Sequence, residues 1–224
     1  MTFYYLIVED EVPARRRKSV DSVHDLGGNN EVLAAVAPSA PDPQDDRVTI
    51  YEGKSCASLA EVSRRYAAEL TLQGSGQLND GRVLNIWGNC SCPRSPCFQV
   101  AGDRSKWGLA GNGRVLSPFR TVAVDPKVVP LGTLLYIPEL DGLRMPGREP
   151  IGGFIHDGCV VADDTGGGVK GKQVDLFVGR KAYWQGLARR GGSHAWARHI
   201  TVYPGAGKCT RDGGRVSRSA AAGM

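Results

Sequence analysis

Three carboxylates and four glycines fall within the sixteen residues ADDTGGGVKGKQVDLF, residues 162–177. The acids are Asp163, Asp164 and Asp175, and the last of them stands inside an apolar run. An acid in such a run is partly desolvated, which raises its pKa, and a second carboxylate nearby raises it further. General-acid catalysis requires a carboxyl group that is still protonated near neutral pH. The segment therefore predicts acid chemistry centred on Asp175.

A further acid, Asp125, follows a strand-like run in VAVDP. An aspartate before proline or glycine is commonly a turn residue that bonds its own backbone, and this interpretation also suits Asp163. It does not suit Asp175, since an apolar strand has no structural need for an acid. Gly166 and Gly167 would let a polymer approach the backbone closely.

Short strands separated by Gly- and Pro-rich turns must position these acids. The pattern predicts a small, mainly β barrel with one or two short helices, forming one domain over residues 1–204. A long Pro- and Asp-rich loop insertion is expected at 24–47, and a disordered tail at 205–224. The expected strands cover 2–10, 119–125, 133–138, 154–163, 174–179 and 198–204. Helices are expected at 58–70, where Ser58 and Glu61 form a capping box, and at 180–190. A hairpin is expected over 73–88, with its turn at Asp80-Gly81.

The composition excludes some classes of function. The 224 residues carry 28 basic and 23 acidic side chains, a net charge of +5, which is not a strong signature of nucleic-acid binding. No apolar run approaches the roughly 18 residues of a membrane helix. We expect a monomer that contacts an anionic surface or polymer, without nucleic-acid or membrane-spanning partners.

Six cysteines, an even number, indicate disulfides in an oxidising compartment. Cys159 with Cys209, and Cys90 or Cys92 with Cys97, are the expected pairs. Structural zinc held by Cys56, Cys90, Cys92 and Cys97 is the alternative, although the spacing lacks paired C-x2-C knuckles. The first residues do not form a signal peptide, so we expect Met1 to be an added start on a processed, extracytoplasmic protein.

The segments VAVDPKVVPLGTLLYIP and ADDTGGGVKGKQVDLFVG together resemble the three-aspartate (3D) domain of bacterial cell-wall enzymes, over roughly residues 118–180. Membrane-bound lytic transglycosylases of the A type and stationary-phase-survival muralytic proteins are the relatives that this resemblance suggests. It implies a double-psi β-barrel, with Asp125, Asp164 and Asp175 as the three acids. The six cysteines and the 24–47 insertion depart from the family pattern.

The resemblance implies a peptidoglycan lytic transglycosylase without a metal or other cofactor. Such an enzyme cleaves the β-1,4 bond between N-acetylmuramic acid and N-acetylglucosamine without water and leaves a 1,6-anhydro ring. Asp175 would be the general acid and base, Asp164 would keep its pKa high, and Asp125 would orient the site. The expected contacts to the glycan strand are Gln73, Ser75, Gly76, Thr165, Gly166, Gly167, Lys170 and Tyr4.

Three alternatives stay open at this point. A single Asp-Thr-Gly could belong to an aspartic protease, which would then need a symmetric dimer. His156, Asp157, Asp163 and Asp164 could bind a metal ion. An expansin-like module could bind cell-wall polysaccharide without cutting it, since a fold does not confer activity.

Overall fold

The computed structural model describes residues 1–12, 46–102, 105–188, 194–212 and 214. The expected insertion at 24–47 therefore lies outside the described residues, except for its last two positions. Asp46 and Arg47 belong to the folded part, and Arg47 begins a strand.

In the described residues, one sheet consists of nine strands. They are β1 Thr2–Val8, β4 Ser75–Gln77, β5 Val83–Gly88, β6 Cys97–Val100, β7 Thr121–Ala123, β8 Thr133–Tyr136, β9 Cys159–Asp164, β10 Asp175–Arg180 and β11 Tyr203–Pro204. Their order in the sheet is β11-β8-β9-β7-β10-β1-β4-β5-β6. Three neighbouring pairs are parallel: β1 with β10, β1 with β4, and β7 with β9. The described residues are thus mainly β with two short α-helices, as predicted.

The central strands are apolar because their side chains are covered on both faces. Cys159 to Asp163 in β9 and Leu176 to Gly179 in β10 are all buried, which accounts for the unbroken apolar runs in the sequence. Phe119, Val122, Ile137 and their neighbours form the largest core cluster around these strands. The two acids that end β9 and begin β10 therefore rest on a rigid frame.

The predicted helix at 58–70 is wrong in its first half. Residues Ser58–Ser63 form strand β3, which pairs antiparallel with strand β2, Arg47–Tyr51. Helix α1 covers Arg64–Gln73, and Ser63 caps it by accepting a hydrogen bond from the Tyr66 amide. The pairing with β2 overrides the capping-box pattern, because the strand hydrogen bonds and the burial of Val62 are tertiary interactions.

The hairpin over residues 73–88 is confirmed. Strands β4 and β5 pair antiparallel, and the Gly81 amide closes the turn onto the Leu78 carbonyl at 2.9 Å. Gly81 has a φ of 89°, which glycine adopts at little cost. This hairpin brings the Ser75 and Asn85 side chains to neighbouring positions on the sheet.

Residues after Gly205 differ from the expected disordered tail. The Gly205 amide bonds the Leu134 carbonyl at 2.7 Å, and Cys209 is buried and disulfide-bonded to Cys159. The disulfide holds the segment through Thr210 against the sheet; most of the tail beyond it lies outside the described residues. The closing strand is shorter than 198–204, and helix α2 covers only Lys181–Gly186 of the expected 180–190.

All six cysteines form disulfides. Cys159 pairs with Cys209 and Cys90 with Cys97, as expected, and Cys56 pairs with Cys92. The four cysteines of the zinc alternative are therefore joined to one another as two disulfides. The described residues include no helix of the length and hydropathy that a membrane span would need.

Candidate active site

A groove of about 640 Å³ crosses the sheet where β1, β9 and β10 meet the hairpin of β4 and β5. Residues of β1, β9, β10 and the glycine-rich loop that joins β9 to β10, residues 165–174, line one part of it, which we call the acid wall. The end of α1 together with β4, β5 and β6 lines the other part, which we call the hairpin wall. The acid wall contains Asp164 and Asp175, so two of the three predicted acids share this groove.

Asp175 begins β10 and lies between Thr2 of β1 and Ala123 of β7. Its side chain is mostly buried, and its Oδ1 atom has no hydrogen-bond partner among the described residues. Burial is the main cause that raises the pKa of Asp175 to about 6, and the charge of Asp164 adds to it, while a hydrogen bond from Thr2 opposes it. Asp175 thus offers a free oxygen that can hold a proton near pH 6.

Asp164 ends β9 and is fully engaged by donors. The Tyr4 hydroxyl donates to Oδ2 at 2.5 Å, and the Gly111 and Thr165 amides donate to Oδ1 at 2.7 and 2.8 Å. Burial raises the pKa of Asp164 despite these three hydrogen bonds. Both oxygens of Asp164 accept hydrogen bonds, which leaves Asp175 as the groove acid with an unpaired oxygen.

Asp125 does not line the groove. Its Oδ2 accepts a hydrogen bond from the Gly171 amide at 2.9 Å, and its Oδ1 accepts one from the Lys127 backbone amide at 3.0 Å. These backbone donors, Gly171 first, lower the pKa of Asp125. Asp125 therefore ties the glycine-rich loop to the end of β7, which is a positioning role rather than contact with a substrate.

The predicted glycan contacts of the glycine-rich loop separate into two groups. Thr165, Gly166 and Gly167 line the groove directly after Asp164. Lys170 is exposed and does not line it. The next residue, Gly171, bonds Asp125 outside the groove, so the loop leaves the groove at Lys170 and returns to it at Gln173.

Gln73 and Ser75 line the groove, whereas Gly76 does not. A Cβ at Gly76 would lie 2.6 Å from the Tyr66 hydroxyl oxygen and 2.8 Å from side-chain atoms of both Ile7 and Leu70. Gly76 therefore serves close packing of β4 against α1. Ser75 is buried, and its Oγ has no hydrogen-bond partner among the described residues.

Tyr4 reaches the groove with its hydroxyl and not with its ring face. The ring is buried and packs on Phe177, with centroids 5.1 Å apart. Burial, followed by the charge of Asp164, raises the pKa of Tyr4, so the hydroxyl stays protonated and donates to that carboxylate. A buried ring cannot stack on a sugar, so the predicted contact of Tyr4 with the glycan strand would have to use the hydroxyl group.

The alternative metal site at His156 does not assemble. The buried His156 ring bonds the Phe119 carbonyl through Nε2 at 2.7 Å and accepts from the Gly158 amide through Nδ1 at 2.9 Å. Asp157 pairs with Arg120, and Asp163 accepts from Asn112. In the described ranges, the one convergent set of three metal-ligating side chains is Cys90, Cys92 and Cys97, which are all in disulfides.

Several groove residues were not predicted from the sequence. Asn85 holds the loop after Trp107 by bonding both the Leu109 amide and its carbonyl, at 2.8 and 2.9 Å. This brings Gly111 to Asp164. Trp87 and Gln99 also line the groove. An asparagine or glutamine in a strand carries no local signal of such a role, which depends on the register between distant strands.

Comparisons with known proteins agree with the predicted resemblance. The family model of the 3D domain matches residues 120–193, which include Asp125, Asp164 and Asp175. No curated protein sequence matches the chain. One similar solved structure is Escherichia coli MltA with bound chitohexaose, with 15% identity, a TM-score of 0.46, and coverage of 91% of this chain and 71% of that one. A membrane-bound lytic murein transglycosylase from Agrobacterium tumefaciens has 16% identity, a TM-score of 0.42, and coverage of 80% of this chain and 66% of that one. The lytic transglycosylase LtgG of Burkholderia pseudomallei has 21% identity, a TM-score of 0.32, and coverage of 56% of this chain and 50% of that one. The chain thus spans between half and about seven tenths of their lengths.

Proposed function

We propose that this chain, which carries a 3D domain, is an extracytoplasmic peptidoglycan lytic transglycosylase. The observation that carries the proposal is the division between the two groove acids. Asp164 is occupied by three donors, whereas Asp175 has a buried, unpaired oxygen and a pKa near 6. A single acid that can give and then take a proton is what non-hydrolytic cleavage of a glycan needs. The three disulfides support a compartment outside the cytoplasm.

The reaction that we propose takes place in two proton transfers at Asp175. Protonated Asp175 donates to the oxygen of the β-1,4 bond, and that bond breaks as the N-acetylmuramic acid ring gains oxocarbenium character. The 6-hydroxyl of the same ring then attacks the anomeric carbon and gives its proton back to the Asp175 carboxylate. The nucleophile is part of the substrate, so no entropy is lost in recruiting it. This differs from glycosidases, in which two carboxylates share the work.

The other predicted residues support this scheme from their places around the groove. Asp164, held by Tyr4, supplies the charge that favours the protonated form of Asp175. Asp125 fixes the glycine-rich loop, whose Thr165, Gly166 and Gly167 face the glycan strand. The double-psi barrel is part of the proposal as well; the parallel pairs β1–β10 and β7–β9 around the antiparallel pair β7–β10 support it.

A digest of purified peptidoglycan tests the proposed function. We expect soluble muropeptides that end in 1,6-anhydro-N-acetylmuramic acid, detected by mass spectrometry, and no uptake of oxygen when the digest is made in heavy-oxygen water. Incorporation of the heavy oxygen would show a hydrolase instead. Binding to the insoluble wall without any release would indicate the expansin-like binding module.

The rate of release should depend on pH through Asp175. A carboxyl group is protonated below its pKa, so the competent form of the free enzyme predominates below pH 6 and declines above it. We expect kcat/KM to fall about tenfold per pH unit above pH 6. Initial rates between pH 4.5 and 8.5, with circular dichroism as a control for the fold, measure this; a flat profile would exclude Asp175 as the general acid.

A further inference from the structure

Trp87 differs from the other three tryptophans of the chain. Trp107 belongs to a buried core cluster, and Trp184 and Trp196 pack against the largest one. Trp87 is 42% exposed and lines the groove on the hairpin wall. A large aromatic ring that is exposed inside a concave site offers an apolar surface to a ligand.

The backbone at Trp87 is built to aim this side chain. The pairing of β5 with β6 shifts register between Ile86 and Gly88, so Trp87 is the extra residue of a β-bulge. A bulge breaks the regular alternation of side chains and commonly redirects one beside an active site. Ile86 and Trp87 consequently both line the groove, although they are adjacent in the strand.

The indole ring is also held in place. It lies against Gly53, where a Cβ would fall 2.2 Å from the Trp87 Cγ and Cδ1 atoms, so residue 53 must lack a side chain. The Lys54 ammonium lies 5.5 Å from the ring centroid. Cys56 follows, and its disulfide to Cys92 joins this turn to the loop between β5 and β6. The ring is therefore a pre-positioned surface, which reduces the entropy lost on binding.

A row of polar side chains runs beside Trp87. The sheet register places Ser75 of β4 opposite Asn85 of β5, and Asn85 opposite Gln99 of β6, and all three line the groove. Ser75 is 1% exposed, and its Oγ has no partner in the described part of the chain. A buried hydroxyl without a partner is costly unless a ligand or water supplies one.

We propose that Trp87, Gln99 and Ser75 form a distal saccharide subsite on the hairpin wall, which binds an N-acetylhexosamine unit of the glycan strand away from the bond that is cleaved. Sugar rings present one apolar C–H face, which the indole would cover, and hydroxyl and N-acetyl groups, which Gln99 and Ser75 would meet. The subsite rests on the proposed function for the identity of the polymer. Strand β5 is three strands from β10, roughly 14 Å along the sheet, so Trp87 contacts a unit other than the one at Asp175.

Binding of chitohexaose and chitobiose to the Asp175→Asn variant, measured by isothermal titration calorimetry, tests the subsite without turnover. We expect Trp87→Ala to weaken hexamer binding by about tenfold and dimer binding much less, because only the longer ligand spans both walls. Gly53→Ala should act in the same direction, since the added methyl displaces the indole without removing it. Tyr203→Ala removes an exposed aromatic ring outside the groove and should leave both affinities unchanged.

The outcomes distinguish the subsite from the proposed catalysis. If Trp87→Ala and Gly53→Ala in the Asp175→Asn background bind the hexamer as tightly as Asp175→Asn alone, the subsite is excluded, even when the wild-type enzyme releases anhydro products. If both variants lose the preference for the hexamer while the wild-type enzyme releases nothing from peptidoglycan, the subsite stands and the proposed catalysis fails.

Discussion

Asp175→Asn is expected to reduce the release of anhydro-muropeptides by about a thousandfold or more, because the amide can neither donate the proton nor take it back. The two side chains have nearly the same shape, so the fold and the binding of glycan should persist. The matched control is Asp163→Asn, which neutralises a buried carboxylate on β9 that bonds Asn112 and does not line the groove. A variant at position 175 that kept a tenth of the wild-type rate would remove Asp175 from the mechanism.

The same substitution should stabilise the protein at alkaline pH. The pKa of Asp175 is raised from 3.8 to about 6 by folding, so between these values the native state binds more protons than the unfolded state. Stability therefore decreases as pH rises through this window, and the loss persists above it. Asparagine carries no charge to bury, so Asp175→Asn should gain about 1–3 kcal/mol at pH 8 relative to wild type. The gain should shrink toward pH 4, and equilibrium urea unfolding at the two pH values measures it.

Removing the disulfide between Cys159 and Cys209 should cause a large loss in the free energy of unfolding. The two cysteines of this bridge are separated by 50 positions in the sequence, and both are buried. The loop-entropy estimate for Cys159→Ala with Cys209→Ala is a loss of about 4 kcal/mol in the free energy of unfolding. Guanidinium unfolding under non-reducing conditions measures this loss.

The Cys90–Cys97 bridge provides a matched comparison, because its sequence separation is only 7. The same estimate gives about 2 kcal/mol for Cys90→Ala with Cys97→Ala. Equal losses from the two double variants would show that loop closure does not determine the contribution of these bridges.

The acid wall could largely be anticipated from the sequence, because local patterns determine it. The apolar runs around Asp164 and Asp175 identify buried strands, and the acids at their ends follow directly from chain order. The hairpin at Asp80-Gly81 is likewise a local signal. Asp125 could be identified as one of the three acids, but its bond to Gly171 depends on how the glycine-rich loop folds back.

The helix at 58–70 shows where local reasoning fails. Val62, Tyr66 and Leu70 are all buried, so the predicted apolar face is correct even though residues 58–63 form a strand. Spacing alone cannot separate the two conformations, because the pairing of these residues with strand β2 is not visible in the local sequence. Trp87 could not be located in the groove for a similar reason, since its bulge and its contact with Gly53 are set by pairing between strands.

The two acids of the groove come from the later part of the chain, but a side-chain hydroxyl that bonds each of them comes from its first strand. Tyr4 donates to Asp164 across 160 positions of sequence, and Thr2 lies beside Asp175 in the parallel pair of β1 and β10. A nascent polypeptide that has not been synthesised through β10 cannot make these contacts. The pair of acids is therefore absent until synthesis has passed the start of β10, and a product truncated before that strand would lack it.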